Sequence, residues 1–440
     1  MSGKTSSFRD SVTVLNGSPD DYETLLDSVG DAHFVMIGEA SHGTHEFYLE
    51  RARITELLIK NKKFNAVATE ADWPDAYRVN RYVQGLGYDG NPERALRDFT
   101  RFPQWMWRNT DVVNFLKWLH NYNTTSEPDD RVGYYGIDLY SLYTSIESVL
   151  AYLDKTDPAA AARARERYNC FEHFNRDSQA YGMHATLGLT PDCENEVIQQ
   201  LIDLRKSSAE YLHRDGLVAR EDHFVAEQNA LVVSNAERYY RSMFESGENS
   251  WNIRDRHMAQ TIEALARHIK TTGREPRIVI WAHNSHLGDA RATDRARYGE
   301  LNLGQLVREA HDGDSLSVGF STYSGSVTAT SEWDEPAQHK RVRPGLPGSY
   351  EAYFHEIGIP NFLVRTNNEE LSIPRLQRAI GVIYRPDTER QSHYYEATLS
   401  RQFDWMVHFD RTHAVEPLEK GKTWHPGPNA DVPEAFPTGL

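Results

Sequence analysis

Eight short apolar runs, each the length of a β-strand, constrain what this chain can fold into more than any other feature: HFVMIGEA (33–40), FNAVATEA (64–71), RVGYYGID (131–138), RIVIWAHN (277–284), LSVGFSTY (316–323), NFLVRT (361–366), AIGVIY (379–384) and FDWMVHFD (403–410). They are rich in Val, Ile and aromatics, and several precede segments with helical periodicity. A strand that is apolar without interruption is buried on both faces. The pattern therefore predicts an α/β fold, a mostly parallel central sheet flanked by helices. The segment SVTATSEW (326–333), following the turn-like YSGS, reads as the return arm of a hairpin.

Between residues 141 and 275 the strand signal fades. Met258, Ile262, Leu265 and Ile269 form one helical stripe, and Val197, Leu201 and Leu204 repeat the pattern. This predicts a helical insertion that forms a lid over the C-terminal edge of the strands. The chain then divides into a first core half (1–140), the insertion (141–275), a second core half (276–420) and an extended Pro-rich tail (421–440).

Charge and cysteine usage narrow the function. A net charge of −16 argues against nucleic acid, whose binders need a basic face. No window approaches the roughly 18 apolar residues of a membrane helix. The N-terminus lacks a secretory apolar core, so a cytoplasmic protein is expected. Cys170 and Cys193 form neither a CxxC nor a zinc-ligand spacing, and read as reduced thiols.

The strand ends carry the chemistry. The first run closes on Glu39 and His42, the second on Glu70 and Asp72, the third on Asp138, and the fourth on His283 and His286. In open parallel sheets ligands bind beyond the carboxyl ends of the strands, so four distant segments would deliver acids and imidazoles to one rim. Asp72 and Asp138 have an equal reading as helix N-caps. Arg51 shares a helical stripe with Phe47, Ile54 and Leu58, and a buried guanidinium needs a carboxylate, with Glu39 and Glu70 as candidates.

No GxSxG elbow, GxxxxGK[ST] loop or GxGxxG fingerprint is present. Two mechanisms remain. In one, a histidine acts as general base on water while acids tune it and donors stabilise an oxyanion. In the other, His42xxHis45 and His283xxHis286 bind a metal that acidifies the water.

GEASHGTHEF (38–47), EADWP (70–74), RFPQWMWRN (101–109), NIRDRHMA (252–259), WAHNSHLGDARAT (281–293), GFSTYSGSVTA (319–329) and IYRPDTERQSHYY (383–395) together resemble the erythromycin esterase family. The resemblance implies hydrolysis of an ester or lactone, macrolides included, without a covalent serine intermediate, metal or other cofactor. It makes His42 the general base with Glu39 as its acidic partner, and Arg51, Glu70, His283 and His286 the rest of the site. Trp105 and Trp107, with Trp73 nearby, are aromatics able to line an apolar cleft. Together with Asp72 and Asp138 they are the expected substrate contacts, and a small-molecule ester the expected partner.

Overall fold

The computed structural model describes residues 8–244, 249–421 and 424. Its strands are β1 (Val12–Val14), β2 (Phe34–Ile37), β3 (Ala66–Asp72), β4 (Gly133–Asp138), β5 (Ile278–Trp281), β6 (Ser315–Ala329), β7 (Gln338–Val342), β8 (Asn361–Arg365), β9 (Arg375–Arg378), β10 (Tyr394–Ala397) and β11 (Trp405–Thr412). Nine form the central sheet in the order β1-β8-β11-β6-β2-β5-β3-β4, with β7 added to β6; β9 and β10 make a separate ribbon. From β11 through β4 every pairing is parallel. Antiparallel pairs occur at the β1–β8–β11 edge and at β7.

The uninterrupted apolar runs are buried on both faces because two cores sandwich the sheet. Val35, Ile37, Val279 and Trp281 point into one, packed by Phe47, Ile54 and Leu58 of helix His45–Lys62 and by Phe115 and Leu119 of helix Thr110–Thr125. Their strand neighbours Phe34, Met36, Ile278 and Ile280 point into the other. There they meet Met258, Ile262, Leu265 and Ile269 of helix Ser250–Thr271, the stripe read from the sequence. Each such side chain contributes about 1.5–3 kcal/mol on burial.

Residues 142–271 contain helices and, among those described, no strand. The longest helix, Glu194–Ser242, packs Ala230, Val233, Ala236 and Tyr240 into a third core with Leu142, Val149, Leu153 and Tyr181. Val197, Leu201 and Leu204 join this core as expected. No described helix is long and apolar enough to cross a membrane.

Three expectations are corrected. YSGS is not a turn: β6 continues to Ala329, because Ser324 and Gly325 stay paired with Arg411 and Thr412 of β11. The antiparallel return arm is β7, which starts at Gln338. The run 379–384 is not a strand but makes isolated bridges, Ser41 to Ile380 and Thr330 to Ile383. Its apolar character goes into a small cluster in which Ile380 and Tyr384 meet Val327, Ala329 and Val342. Finally, Cys170 and Cys193 form a disulfide across 23 residues, with Cα atoms 6.1 Å apart, so the reduced-thiol reading does not hold. Most of the expected C-terminal tail lies outside the described residues.

Candidate active site

Because β2, β3, β4 and β5 run parallel, their C-terminal ends open at one edge of the sheet. The segment after β2 is shaped by glycine. A Cβ on Gly38 would lie 2.1 Å from Asn284 Oδ1, and one on Gly43 1.8 Å from the Thr328 carbonyl oxygen. The first gap lets Asn284 seat its side-chain amide on Phe320 and donate its N–H to the Glu39 carbonyl at 2.8 Å. The GEASHG and WAHNSH segments are thereby interlocked.

On that frame His42 Nδ1 donates to Glu39 Oε1 at 2.8 Å, leaving Nε2 as the ring's second nitrogen. Glu39 Oε2 lies 3.1 Å from Arg51 Nη2, which settles the choice of partner for the arginine. Arg51 is fully buried, its guanidinium carbon 4.6 Å from the Tyr48 ring and 4.8 Å from the Trp281 ring. Two aromatic faces and one carboxylate hold the cation where water does not reach. His42 is the most exposed of the six predicted site residues, at 8%.

The His283 ring centroid lies 4.9 Å from that of His42. His283 caps the short helix Asn284–Leu287, and its Nδ1 accepts from the Ser285 backbone N–H at 3.2 Å, with Ser285 Oγ at 2.8 Å. A backbone N–H can only donate, so in the neutral ring the proton sits on Nε2. Among the described residues that buried Nε2 makes no well-formed hydrogen bond, although the Ala40 backbone acts on the ring as an acceptor. Burial, and then the nearby His42, hold the His283 pKa well below the usual histidine range, so the ring stays neutral.

A register shift between Thr69 and Asp72 marks a bulge in β3, and such bulges re-aim side chains at strand ends. Glu70 Oε2 accepts the His283 N–H at 2.8 Å. Glu70 Oε1 accepts from Arg254 Nη2 at 2.6 Å and lies 3.4 Å from His286 Nε2. Burial opposes its charge, but His286 and Arg254 outweigh burial and keep Glu70 well below the usual carboxylate range.

His286 gives its Nδ1 proton to Asp255, with oxygens at 2.9 and 3.0 Å, and stacks on Trp251 with centroids 4.3 Å apart. When neutral, its Nε2 accepts from Arg254 Nη1 at 3.0 Å; when charged, it turns a proton toward Glu70. Burial disfavours the charged ring, yet Asp255 and Glu70 together raise its pKa to about 9. Burial also pushes Asp255 upward, but this carboxyl accepts the Leu303 N–H at 2.7 Å as well as the imidazole proton. That is the setting of an ionised carboxylate, so the pair's proton rests on His286.

Neither acid expected as a possible cap behaves as one. Asp72 precedes helix Trp73–Val83 without capping it and pairs with Arg101 at 2.7 Å. Asp138 receives Arg254 Nε at 3.0 Å and Nη2 at 2.6 Å. Trp73, Trp105 and Trp107 are all buried: Trp73 stacks on Tyr135 and meets Phe224 edge-on, and the other two join the core beneath helix His45–Lys62. His45 bonds Asp111 at 2.8 Å, so it does not converge with His42. Among the described residues no three His, Cys, Asp or Glu side chains gather in a metal-ligating arrangement.

Sequence reasoning assigned no role to Arg254, Asp255, Trp251 or Tyr140. Asp255 carried a readable signal, since it falls on the stripe of Met258, Ile262 and Leu265, an acid in an apolar line just as Arg51 is a base in one. Arg254 had no such mark.

Imidazoles and carboxylates thus gather at the strand ends of a mostly parallel sheet, and comparison with known proteins places the chain among hydrolases. The chain belongs to the erythromycin esterase family, whose model matches residues 59–412. It is 22% identical to erythromycin esterase type II of Escherichia coli, over 90% of this chain and 94% of that protein. To the putative hydrolase YbfO of Bacillus subtilis it is 20% identical, over 89% and 87% of the two chains. Among solved structures, a protein from Bacillus cereus matches with a TM-score of 0.75 at 19% identity, over 95% of this chain and 99% of that one. A mutant of the erythromycin esterase EreC in its open conformation matches with a TM-score of 0.67 at 18% identity, over 92% and 98%.

Proposed function

We propose that the protein hydrolyses a carboxylic ester or lactone by histidine-activated attack of water. The observation that carries this reading is the chain from His42 Nδ1 to Glu39 to Arg51, set beside the His283 Nε2, which makes no well-formed hydrogen bond among the described residues. Glu39 fixes the tautomer in which His42 Nε2 is basic and stabilises the imidazolium that forms, as the third member of a triad does. His42 Nε2 takes a proton from water, and the hydroxide oxygen bonds to the ester carbonyl carbon. The negative charge passes to the carbonyl oxygen, where the neutral His283 Nε2–H donates to it. A well-placed donor of this kind is worth roughly 3 kcal/mol. Collapse of the intermediate breaks the C–O bond, and the departing alkoxide takes the proton from His42. A lactone would open to a hydroxy acid; macrolides are the substrates that the family's name suggests.

The test is a screen of macrolides and aryl esters against the wild type and His42→Ala, read by product mass. The expected product from a lactone is one water heavier than the substrate. In the variant, with folding intact, kcat should fall by more than about 100-fold. Full activity in His42→Ala would remove this residue from the base role, and no turnover of any ester by the wild type would remove the reading.

A further inference from the structure

The helical segment between β4 and β5 contributes a side chain to the cluster at the strand ends. From the second turn of helix Ser250–Thr271 it sends Arg254 between two strands, where Nη2 reaches Glu70 Oε1 and Asp138 Oδ2, both at 2.6 Å, and Nε reaches Asp138 Oδ1 at 3.0 Å. The guanidinium carbon lies 4.9 Å from the Tyr140 ring centroid. Tyr140 is tied in turn to the long helix, by Tyr240 Oη donating to its carbonyl at 3.2 Å and Tyr239 Oη donating to its hydroxyl at 3.4 Å. Glu70, held by Arg254 on one oxygen, uses the other to accept the His283 N–H. Arg254 therefore reaches the turn after β5 twice, directly through Nη1 on His286 Nε2 at 3.0 Å and through Glu70, whose other oxygen holds the His283 N–H.

We propose that Arg254 is a positioning residue of this site, locking Glu70 between β3 and β4 so that the Glu70 carboxylate holds the His283 turn in register with His42. The proposal rests on the hydrolytic reading for its kinetic consequence, though not for its geometric one. A planar fork with several donors can bridge two carboxylates at fixed angles, which a lysine ammonium cannot do. The charges agree with the geometry. Glu70 is faced by Arg254 from the insertion, by His286 from the turn after β5, by His42 from the segment after β2, and by the like charge of Asp138 on β4. Without Arg254, two carboxylates would oppose each other in a buried space, and Glu70 would protonate or turn away.

Arg254→Ala and Arg254→Lys should be compared with the full-length wild type, the lysine variant answering the question if alanine does not fold. Nitrogen-15 spectra of labelled histidines, assigned through His283→Asn and His286→Asn, read the imidazole states directly. The wild type should show a single Nε2–H tautomer for His283, and both Arg254 variants a shifted or mixed one. With 4-nitrophenyl acetate as probe, Arg254→Ala should lose roughly 100-fold in kcat with KM little changed, on the scale of a misplaced catalytic group. Added guanidinium should restore part of it. Folded variants with unchanged histidine signals and unchanged kcat would overturn the proposal. If the histidine signals move but the wild type cleaves no ester, positioning stands and the hydrolytic reading falls.

Discussion

At the residue scale, Glu39 carries two duties that pull in one direction. It accepts the Nδ1 proton of His42 and balances the buried charge of Arg51, which among the described residues has no other carboxylate within ion-pair distance. Glu39→Gln keeps the shape but removes the charge, leaving Arg51 buried without an anion and His42 without a partner for its positive form. We expect kcat to fall by at least about 100-fold and stability to drop by roughly 3 kcal/mol, the cost of breaking a buried pair. Steady-state kinetics and urea denaturation of the same preparation check both effects. Wild-type kcat in the folded variant would show that the carboxylate does not orient the base. Arg51 was legible in the sequence because a charge interrupted an apolar stripe. Its choice of Glu39 over Glu70 was not, since that depends on how the helix is rotated against the sheet.

At the scale of elements, the disulfide shows how a local link shapes the insertion. Cys170 lies in the 3-10 turn Asn169–Phe174, and Cys193 immediately precedes helix Glu194–Ser242. The loop between them contains helix Ser178–Thr186, whose Tyr181 accepts the Cys193 N–H at 2.9 Å and donates to Glu237 at 2.7 Å. Closing a loop of this length removes chain entropy from the unfolded state and should contribute about 3 kcal/mol. Urea melts with and without reductant, alongside Cys170→Ser, measure that contribution. Superimposable curves for oxidised and reduced protein would show that the link is energetically idle. The sequence displayed both cysteines but not their proximity, which arises from the return of the chain through the intervening helix. The YSGS stretch departs from its expected turn for a related reason. Serine and glycine favour a turn locally, but pairing of Ser324 and Gly325 with β11, and of 325–329 with β7, keeps the chain extended as far as Ala329.

For the whole molecule, stability should be bounded in pH from both sides by buried histidines. His257 and His393 are held neutral by burial, each with a pKa lowered to about 4. In the unfolded chain they titrate near 6.5, so the folded state loses stability as pH falls from about 6.5 toward 4, the loss at His257 approaching about 3 kcal/mol. His286 acts in the opposite sense. Its folded pKa of about 9 lies above the unfolded value, so its contribution is complete below about 6.5 and disappears as pH rises through 9. The melting temperature should therefore be highest near neutrality and decline on both sides. His257→Gln should make the acid side shallower, His393 keeping part of the decline, while leaving the alkaline side in place. A profile that stays level from pH 4 to 6.5 would contradict the burial argument.

The residues themselves determined the sheet and the rim. Uninterrupted apolar runs have nowhere to lie except between two cores, and parallel strands deliver whatever follows them to one edge. Glu39, His42, Glu70, His283 and His286 were readable for that reason. Tertiary structure alone decided which of these groups touch, that the neutral proton of His283 rests on Nε2, and that Arg254 enters from a helix more than a hundred residues beyond β4 in the chain. Such pairings depend on distances and angles between elements, which follow from how helices settle on the sheet and leave no periodic trace in the sequence.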